Sequence, residues 1–149
     1  MRFRLPLIST CSTLLIFGVV TRSPAQNSED RWLANVEKQL QQVSSTLRSQ
    51  GLVKTKTWAD SIPQGSQQYI EFTLTAHTSY NFVGVCDQDC SDLDLYLRDD
   101  QGNLIDSDTQ PDDHPVVSVT PKYNGTFRVY VNMVRCSNAP CRWAVGSYQ

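Results

Sequence analysis

The sequence predicts an all-β protein, a jelly-roll-like antiparallel β-sandwich of about eight strands, preceded by one N-terminal amphipathic helix. Three observations support this prediction. Apolar and polar residues alternate in several short segments, turn residues separate those segments at regular intervals, and a helical period occurs only before Gly51. The 149 residues, of which 40% are hydrophobic, are enough to build one core.

Residues 1–25 have the layout of a secretory signal peptide. Arg2 and Arg4 form a positive start, a mainly apolar stretch follows, and Ser23 and Ala25 place small residues before a cleavage site. An uncleaved membrane anchor is the alternative, although the stretch is short for a span of about 20 residues and contains polar residues. Cleavage removes three arginines and no acid, so the net charge changes from −2 to −5. We therefore expect a secreted or periplasmic protein that has no membrane span after cleavage.

Residues 26–50 are predicted to form the helix, and residues 51–149 the sandwich domain. Asn27 or Ser28 can cap the start of the helix, and Gly51 can end it. Apolar residues recur at spacings of three and four and form one stripe, which we interpret as a packing surface rather than a partner site. The stripe consists of Trp32, Val36, Leu40, Val43 and Leu47.

The strands follow from alternation with a period of two. The clearest segments are residues 69–76, 93–98 and 127–134. Shorter candidates are residues 55–59, 81–85, 103–106, 116–120 and 142–147. Half-buried strands of this kind form antiparallel sheets, and turn sequences such as Asn124-Gly125 separate them.

The predicted mature chain keeps four cysteines, because Cys11 belongs to the signal peptide. An even number in an exported protein favours disulfides. The four are Cys86, Cys90, Cys136 and Cys141. Three pairings are open, and we favour Cys86–Cys90 with Cys136–Cys141 because each closes a very short segment beside a predicted strand. A zinc site is the alternative, although neither pair has the C-x2-C spacing of most structural sites.

Acidic residues are concentrated in the middle of the chain. Residues 87–113 contain ten aspartates and a single base, Arg98. Carboxylates this close together repel one another, and calcium would relieve the repulsion because it takes oxygen ligands from flexible loops. The spacing is not that of an EF-hand, and the alternative is a solvated acidic segment that protects strand edges. The predicted calcium ligands are Asp87, Asp89, Asp92, Asp94, Asp106 and Asp108.

Three tyrosines lie on the polar faces of the clearest strands. Tyr69, Tyr96 and Tyr130 can form an exposed row that stacks on sugars or on a peptide. The interpretation that we favour is that they form stabilising cross-strand pairs, which the N-terminal helix covers.

Motifs for catalysis are few. His77 and His114 are the two histidines, and the chain has neither a G-x-S-x-G elbow nor an H-E-x-x-H helix. Paired aspartates can hydrolyse a glycoside, but these lie in turns around a predicted disulfide. A hydrolase is therefore the less favoured alternative, and we expect no enzyme activity.

The order of four short motifs resembles the bacterial pre-peptidase C-terminal domain. These are S-D-L-D-L-Y-L at residues 91–97, D-Q-G-N at 100–103, D-S-D at 106–108 and G-T-F-R-V-Y-V at 125–131. The resemblance covers residues 57–148 and implies a non-catalytic jelly roll that usually accompanies an exported enzyme. Related collagen-binding domains bind calcium and use a surface aromatic patch. This chain departs from the pattern in its two cysteine pairs and in the absence of a peptidase domain beside the module.

Together these features predict an exported, non-catalytic binding or interaction module that calcium stabilises. Its expected ligand is a protein or a polysaccharide in the cell envelope or outside the cell. The mildly acidic composition gives no reason to expect nucleic-acid binding. The alternative is a small secreted hydrolase that uses the aspartate-rich loops.

Overall fold

The computed structural model describes the backbone of residues 24–149 and the side chains from residue 31 onward. The predicted signal peptide, residues 1–25, lies outside the described residues except for its last two, which begin the helix. The elements are α1 (Pro24–Ser49), β1 (Lys54–Ile62), β2 (Gln67–Leu74), β3 (Tyr80–Cys86), β4 (Cys90–Asp99), β5 (Leu104–Asp108), β6 (Val116–Val119), β7 (Gly125–Cys136) and β8 (Cys141–Tyr148). No helix among the described residues is long and apolar enough to cross a membrane.

The eight strands form two four-stranded sheets in which all pairs are antiparallel. One sheet has the order β1-β8-β3-β6 and the other β2-β7-β4-β5. Among these pairs, only β4 and β5 are consecutive along the chain. The other pairs join strands that are distant in sequence, such as β1 with β8 and β2 with β7. This order is that of a jelly roll, and the predicted fold class is confirmed.

The core lies between the two sheets because each strand turns one set of alternating side chains inward. In β4 and β7 the inward residues are fully or almost fully buried. They are Leu93, Leu95, Leu97, Phe127, Val129, Val131 and Met133. Phe72 packs edge-on against Trp58 and Phe82, with ring centroids 4.4 and 4.5 Å apart, so the aromatic rings bridge the two sheets.

Helix α1 packs on the outer face of the β1-β8-β3-β6 sheet. Val36 is 0% and Leu40 1% exposed, and they form a second apolar cluster with Val85 of β3 and Ala144 of β8. The stripe predicted from the sequence is therefore a packing surface in its central part. The other stripe residues, Trp32, Val43 and Leu47, are half-buried. Leu33, which is not part of the stripe, is 44% exposed.

The contact between α1 and β8 has a polar anchor. The hydroxyl groups of Ser44 and Tyr148 are hydrogen-bonded at 3.0 Å, and Tyr148 is fully buried. Burial raises the pKa of the Tyr148 phenol. The ring of Tyr148 lies against Gly146, where a Cβ atom would stand 2.9 Å from the ring. Glycine at this position therefore makes room for the ring.

The sequence predicted the C-terminal end of α1 correctly but not its start. At the C-terminal end Gly51 has a φ of +88°, and the Leu52 amide donates to the Leu47 carbonyl at 3.0 Å. This is the predicted glycine stop. The predicted start is wrong, because the helix already begins at Pro24. Asn27 and Ser28 therefore lie inside the helix rather than at its start. The helix can begin at Pro24 because proline is well suited to the first turn.

Candidate functional site

The three tyrosines of the polar strand faces form one row across the β2-β7-β4-β5 sheet. Tyr130 of β7 is the direct cross-strand partner of Tyr69 in β2 and of Tyr96 in β4. The rings of Tyr69 and Tyr130 pack at a centroid distance of 5.4 Å, and Tyr69 is 52% exposed. The predicted cross-strand pairs are confirmed, and they form a surface rather than part of the core.

Polar side chains surround the row on the same outer face. The Arg128 guanidinium lies 5.6 Å from the centre of the Tyr69 ring, and that of Arg98 lies 5.9 Å from the Tyr130 ring. Arg128 also pairs with Glu71 at 2.9 Å, which raises the pKa of the Arg128 guanidinium. We call this surface the tyrosine face. It consists of Gln67, Tyr69, Glu71, Asp94, Tyr96, Arg98, Arg128, Tyr130 and Asn132.

The expectation that the N-terminal helix covers the tyrosines is wrong. Helix α1 contacts Val85 of β3 and Ala144 of β8, which belong to the opposite sheet. Its apolar stripe matches the aliphatic outer positions there, whereas the outer positions around Tyr130 carry tyrosine, charged and amide side chains. The helix therefore covers one outer face of the sandwich, and the tyrosine face remains uncovered among the described residues.

Asp94 lies at one end of the tyrosine row and is only 6% exposed. Its Oδ2 atom accepts hydrogen bonds from the Tyr96 hydroxyl and from Nδ2 of Asn132, both at 3.1 Å. Burial and the Asp94 carboxylate raise the pKa of Tyr96, so this hydroxyl keeps its proton and remains a donor. The sequence motif alone did not reveal this arrangement, because Asn132 belongs to another strand.

The six predicted calcium ligands are spread over several parts of the fold. Asp106 and Asp108 in β5 accept hydrogen bonds from the backbone amides of Ser118 and Val116 in β6, at 2.7 and 2.9 Å. The two carboxylates are two residues apart in β5, as the two amides are in the edge strand β6. By binding these amides, the carboxylates protect β6 from pairing with other chains.

The other four predicted ligands lie in or beside β4. Asp87 is 1% exposed and Asp92 6% exposed, while Asp89 contributes its carbonyl to the amide of Ser137 at 2.7 Å. Within residues 31–149, the structure contains no group of three or more histidine, cysteine or acidic side chains arranged to hold a metal. Calcium binding stays a prediction.

Both predicted disulfides are present, and the locally paired connectivity is confirmed. Cys86–Cys90 closes the connection from β3 to β4, and Cys136–Cys141 closes the connection from β7 to β8. Each connection passes from one sheet to the other. The two connections are linked by the hydrogen bond that the Ser137 amide donates to the Asp89 carbonyl. All four cysteines are buried, at 0–7% exposure. The disulfides therefore fix one end of the sandwich, and these cysteines are not zinc ligands.

A buried carboxylate lies at this disulfide end. The Asp87 Oδ2 atom accepts the Arg142 amide at 2.9 Å, whereas Oδ1 is buried without a hydrogen-bond partner. Burial raises the pKa of Asp87, against the lowering effect of the Arg142 amide. A raised pKa is a property of general acids, but at 1% exposure this carboxyl is closed to a polymeric substrate.

The histidines lie on the surface. His114 contacts Asp113 through Nδ1 at 2.6 Å, and both side chains are roughly half exposed. His77 has a φ of +62° in the turn after β2, and its amide donates to the Pro121 carbonyl. Neither contact brings a histidine to a nucleophile or to a pair of carboxylates.

Comparison with known proteins finds a likeness at the level of structure. No family model matches the chain, and no curated protein matches it either. Among solved structures, the pre-peptidase C-terminal domain of collagenase from Bacillus anthracis aligns with a TM-score of 0.49 and 14% sequence identity. The alignment covers 62% of this chain and 87% of that chain. At this level the likeness carries no argument about function, and membership of the family stays a prediction.

Proposed function

We propose that the protein is an exported, non-catalytic binding module whose tyrosine face binds a neutral polysaccharide of the cell envelope or of the surroundings. The observation that carries the proposal is the alignment of Tyr69, Tyr130 and Tyr96 in one cross-strand row, on a sheet face that no element of the described part of the chain covers. Adjacent strands are about 4.8 Å apart, so the row extends over about 10 Å. That length suits an extended chain rather than a single small molecule.

The composition of the tyrosine face supports a sugar ligand. Aromatic rings stack on the apolar faces of sugar rings, and the amides and charged groups beside them can hydrogen-bond to hydroxyl groups. The charges are balanced, because Arg98 and Arg128 are accompanied by Glu71 and Asp94. A face with balanced charge favours a neutral polymer over an anionic or a cationic one.

Export is supported by the two disulfides. Disulfide bonds persist in oxidising compartments and are rare in the cytosol. Their presence agrees with the signal peptide predicted at residues 1–25, which lies outside the described residues.

A protein ligand is the second candidate, and one observation favours it. Among the strands of residues 24–149, β2 lies at a sheet edge and pairs with β7 alone, and its eight residues run in regular register without a bulge. Such an edge can accept an extended peptide as an additional strand. Substitution of a surface tyrosine would affect this mode of binding less than a proline in β2 would.

The proposal is tested by sedimenting the full chain with a panel of insoluble neutral polysaccharides. We expect binding to at least one polymer, and we expect Tyr69→Ala to weaken it by about two- to tenfold, because an aromatic stacking contact contributes about 0.5–1.5 kcal/mol beyond area burial. Tyr123→Ala is the matched control, since Tyr123 is 48% exposed but packs on Phe127 outside the row. Equal loss in both variants, or no binding to any polymer, would contradict the proposal.

The same assay tests the hydrolase alternative. A glycoside hydrolase would release soluble reducing ends from the bound polymer, and Asp94→Asn or His114→Ala would abolish the release. We expect no release from the wild-type protein, and steady release would contradict the non-catalytic assignment.

Calcium stabilisation is tested separately by thermal unfolding. If the carboxylates bind calcium, the Tm in millimolar calcium exceeds the Tm in chelator, because a ligand that binds only the folded state stabilises it. Equal Tm values would remove the calcium hypothesis and would leave the polysaccharide proposal unaffected.

A further inference from the structure

One residue of the tyrosine face is built differently from the rest. Asp94 is 6% exposed, whereas the side chains of Tyr69 and Glu71 on the same face are about half exposed. Its Oδ2 atom is already used by the Tyr96 hydroxyl and the Asn132 amide. Oδ1 accepts no hydrogen bond from the described residues, and it is not closed off from solvent.

The two hydrogen bonds hold the carboxylate in one orientation. Asn132 is the direct cross-strand partner of Asp94, and Tyr96 is the next outward residue along the same strand. Both donors therefore belong to the regular part of the sheet. A polar group fixed in this way loses little conformational entropy when a ligand binds.

We infer that Asp94 determines the specificity of the tyrosine face for neutral polysaccharides, by accepting a hydrogen bond from a sugar hydroxyl at Oδ1. The inference rests on the proposed function and adds the residue that makes the face prefer neutral over anionic polysaccharides. A carboxylate accepts hydrogen bonds strongly from hydroxyl groups. It repels a ligand carboxylate or phosphate, and low exposure to solvent leaves this repulsion poorly screened.

Asp94→Asn tests the inference at nearly constant shape. The amide oxygen of the substituted side chain can still accept the hydrogen bonds from Tyr96 and Asn132. Its NH2 group then takes the place of Oδ1, so a hydrogen-bond donor replaces the free acceptor. The probes are a soluble neutral oligosaccharide of the polymer that binds best and the same oligosaccharide with its primary alcohols oxidised to carboxylates. Affinities are measured by isothermal titration calorimetry, and Glu37→Gln is the matched control for the change in net charge, because Glu37 is exposed on α1, which packs on the opposite sheet.

We expect the wild-type protein and Glu37→Gln to prefer the neutral probe by at least tenfold. Asp94→Asn should lose at least tenfold in affinity for the neutral probe, and its preference for that probe over the oxidised one should narrow. Tyr96→Phe keeps the ring but removes one of the two donors, so we expect a smaller loss with the preference partly kept. This second variant provides the test if Asp94→Asn does not fold.

The outcomes separate the two proposals. If Tyr69→Ala weakens binding as expected while Asp94→Asn and Tyr96→Phe keep the wild-type affinity and preference, the inference is wrong and the proposed function stands. If the wild-type protein binds neither probe, the proposed function is wrong and the inference falls with it. If the oxidised probe binds the wild-type protein more tightly than the neutral probe, the assigned ligand class is wrong.

Discussion

The packing of α1 on the sandwich can be tested with two substitutions of the same kind in one helix. Leu40 is 1% exposed and contacts the sheet through the cluster with Val36, whereas Leu33 is 44% exposed. Leu→Ala at a fully buried position removes transfer free energy and leaves a cavity, at a cost of about 3 kcal/mol. The same change at Leu33 should cost less than about 1 kcal/mol, because nearly half of that side chain stays in water.

The measurement is the free energy of unfolding from urea titrations followed by circular dichroism. For a chain of this size, a loss of about 3 kcal/mol corresponds to a decrease in Tm of about 12 °C. The intrinsic helix propensities of leucine and alanine enter both variants equally, so their difference reports the packing alone. Equal effects of Leu40→Ala and Leu33→Ala would show that α1 is not docked on the β1-β8-β3-β6 sheet.

Three further predictions concern the fold. Gly146→Ala places a methyl group 2.9 Å from the ring of Tyr148, and we expect it to lower the free energy of unfolding by about 1–3 kcal/mol in urea titrations. Hydrogen bonds from Asn103 hold the pKa of Asp99 below its ordinary value of 3.8, so this carboxylate stabilises the fold above about pH 4 and the stabilisation is lost as the pH falls further. Asp99→Ala should therefore destabilise the protein at pH 7 and reduce the additional loss of stability between pH 4 and pH 2. Reduction of both disulfides should cost about 2 kcal/mol for each short segment that they close, measured as the shift in urea midpoint with and without reductant.

The strands could be predicted from the sequence because each strand turns one face toward the core and the other toward solvent, so apolar and polar residues alternate. Alternation located β2, β4 and β7, and the turn residues located the shorter strands. The ends of the strands could not be predicted in this way. Strand β7 extends to Cys136 because that residue pairs with Cys90 of β4, and such pairing depends on which strands are neighbours.

The same reason explains what was missed at the candidate site. The alternation placed Tyr69, Tyr96 and Tyr130 on polar faces, but only the order of the strands brings them into one row. The helix was expected to cover the tyrosines because the sequence does not tell which sheet an amphipathic helix packs against. The small residue Ala144 and the apolar Val85 select the opposite sheet.

The acidic segment shows a similar limit. From the sequence, Asp106 and Asp108 are two carboxylates at a spacing of two, and this pattern suits metal binding or a strand edge equally well. The structure gives each carboxylate an amide of β6 as its hydrogen-bond donor. The amides come from residues ten or so positions away in the chain, so the role of the carboxylates depends on how β5 and β6 meet.

Chemical-shift mapping tests the central claim most directly. The 15N-labelled protein is titrated with a soluble oligosaccharide of the polymer that it sediments with, and amide shifts are followed along the chain. The account predicts that the shifts concentrate on the outward residues of β2, β7 and β4 around Tyr69, Tyr130 and Asp94, while α1 and β8 stay unchanged. Shifts confined to α1 and the β1-β8-β3-β6 sheet would place the ligand on the other side of the sandwich and would contradict the account.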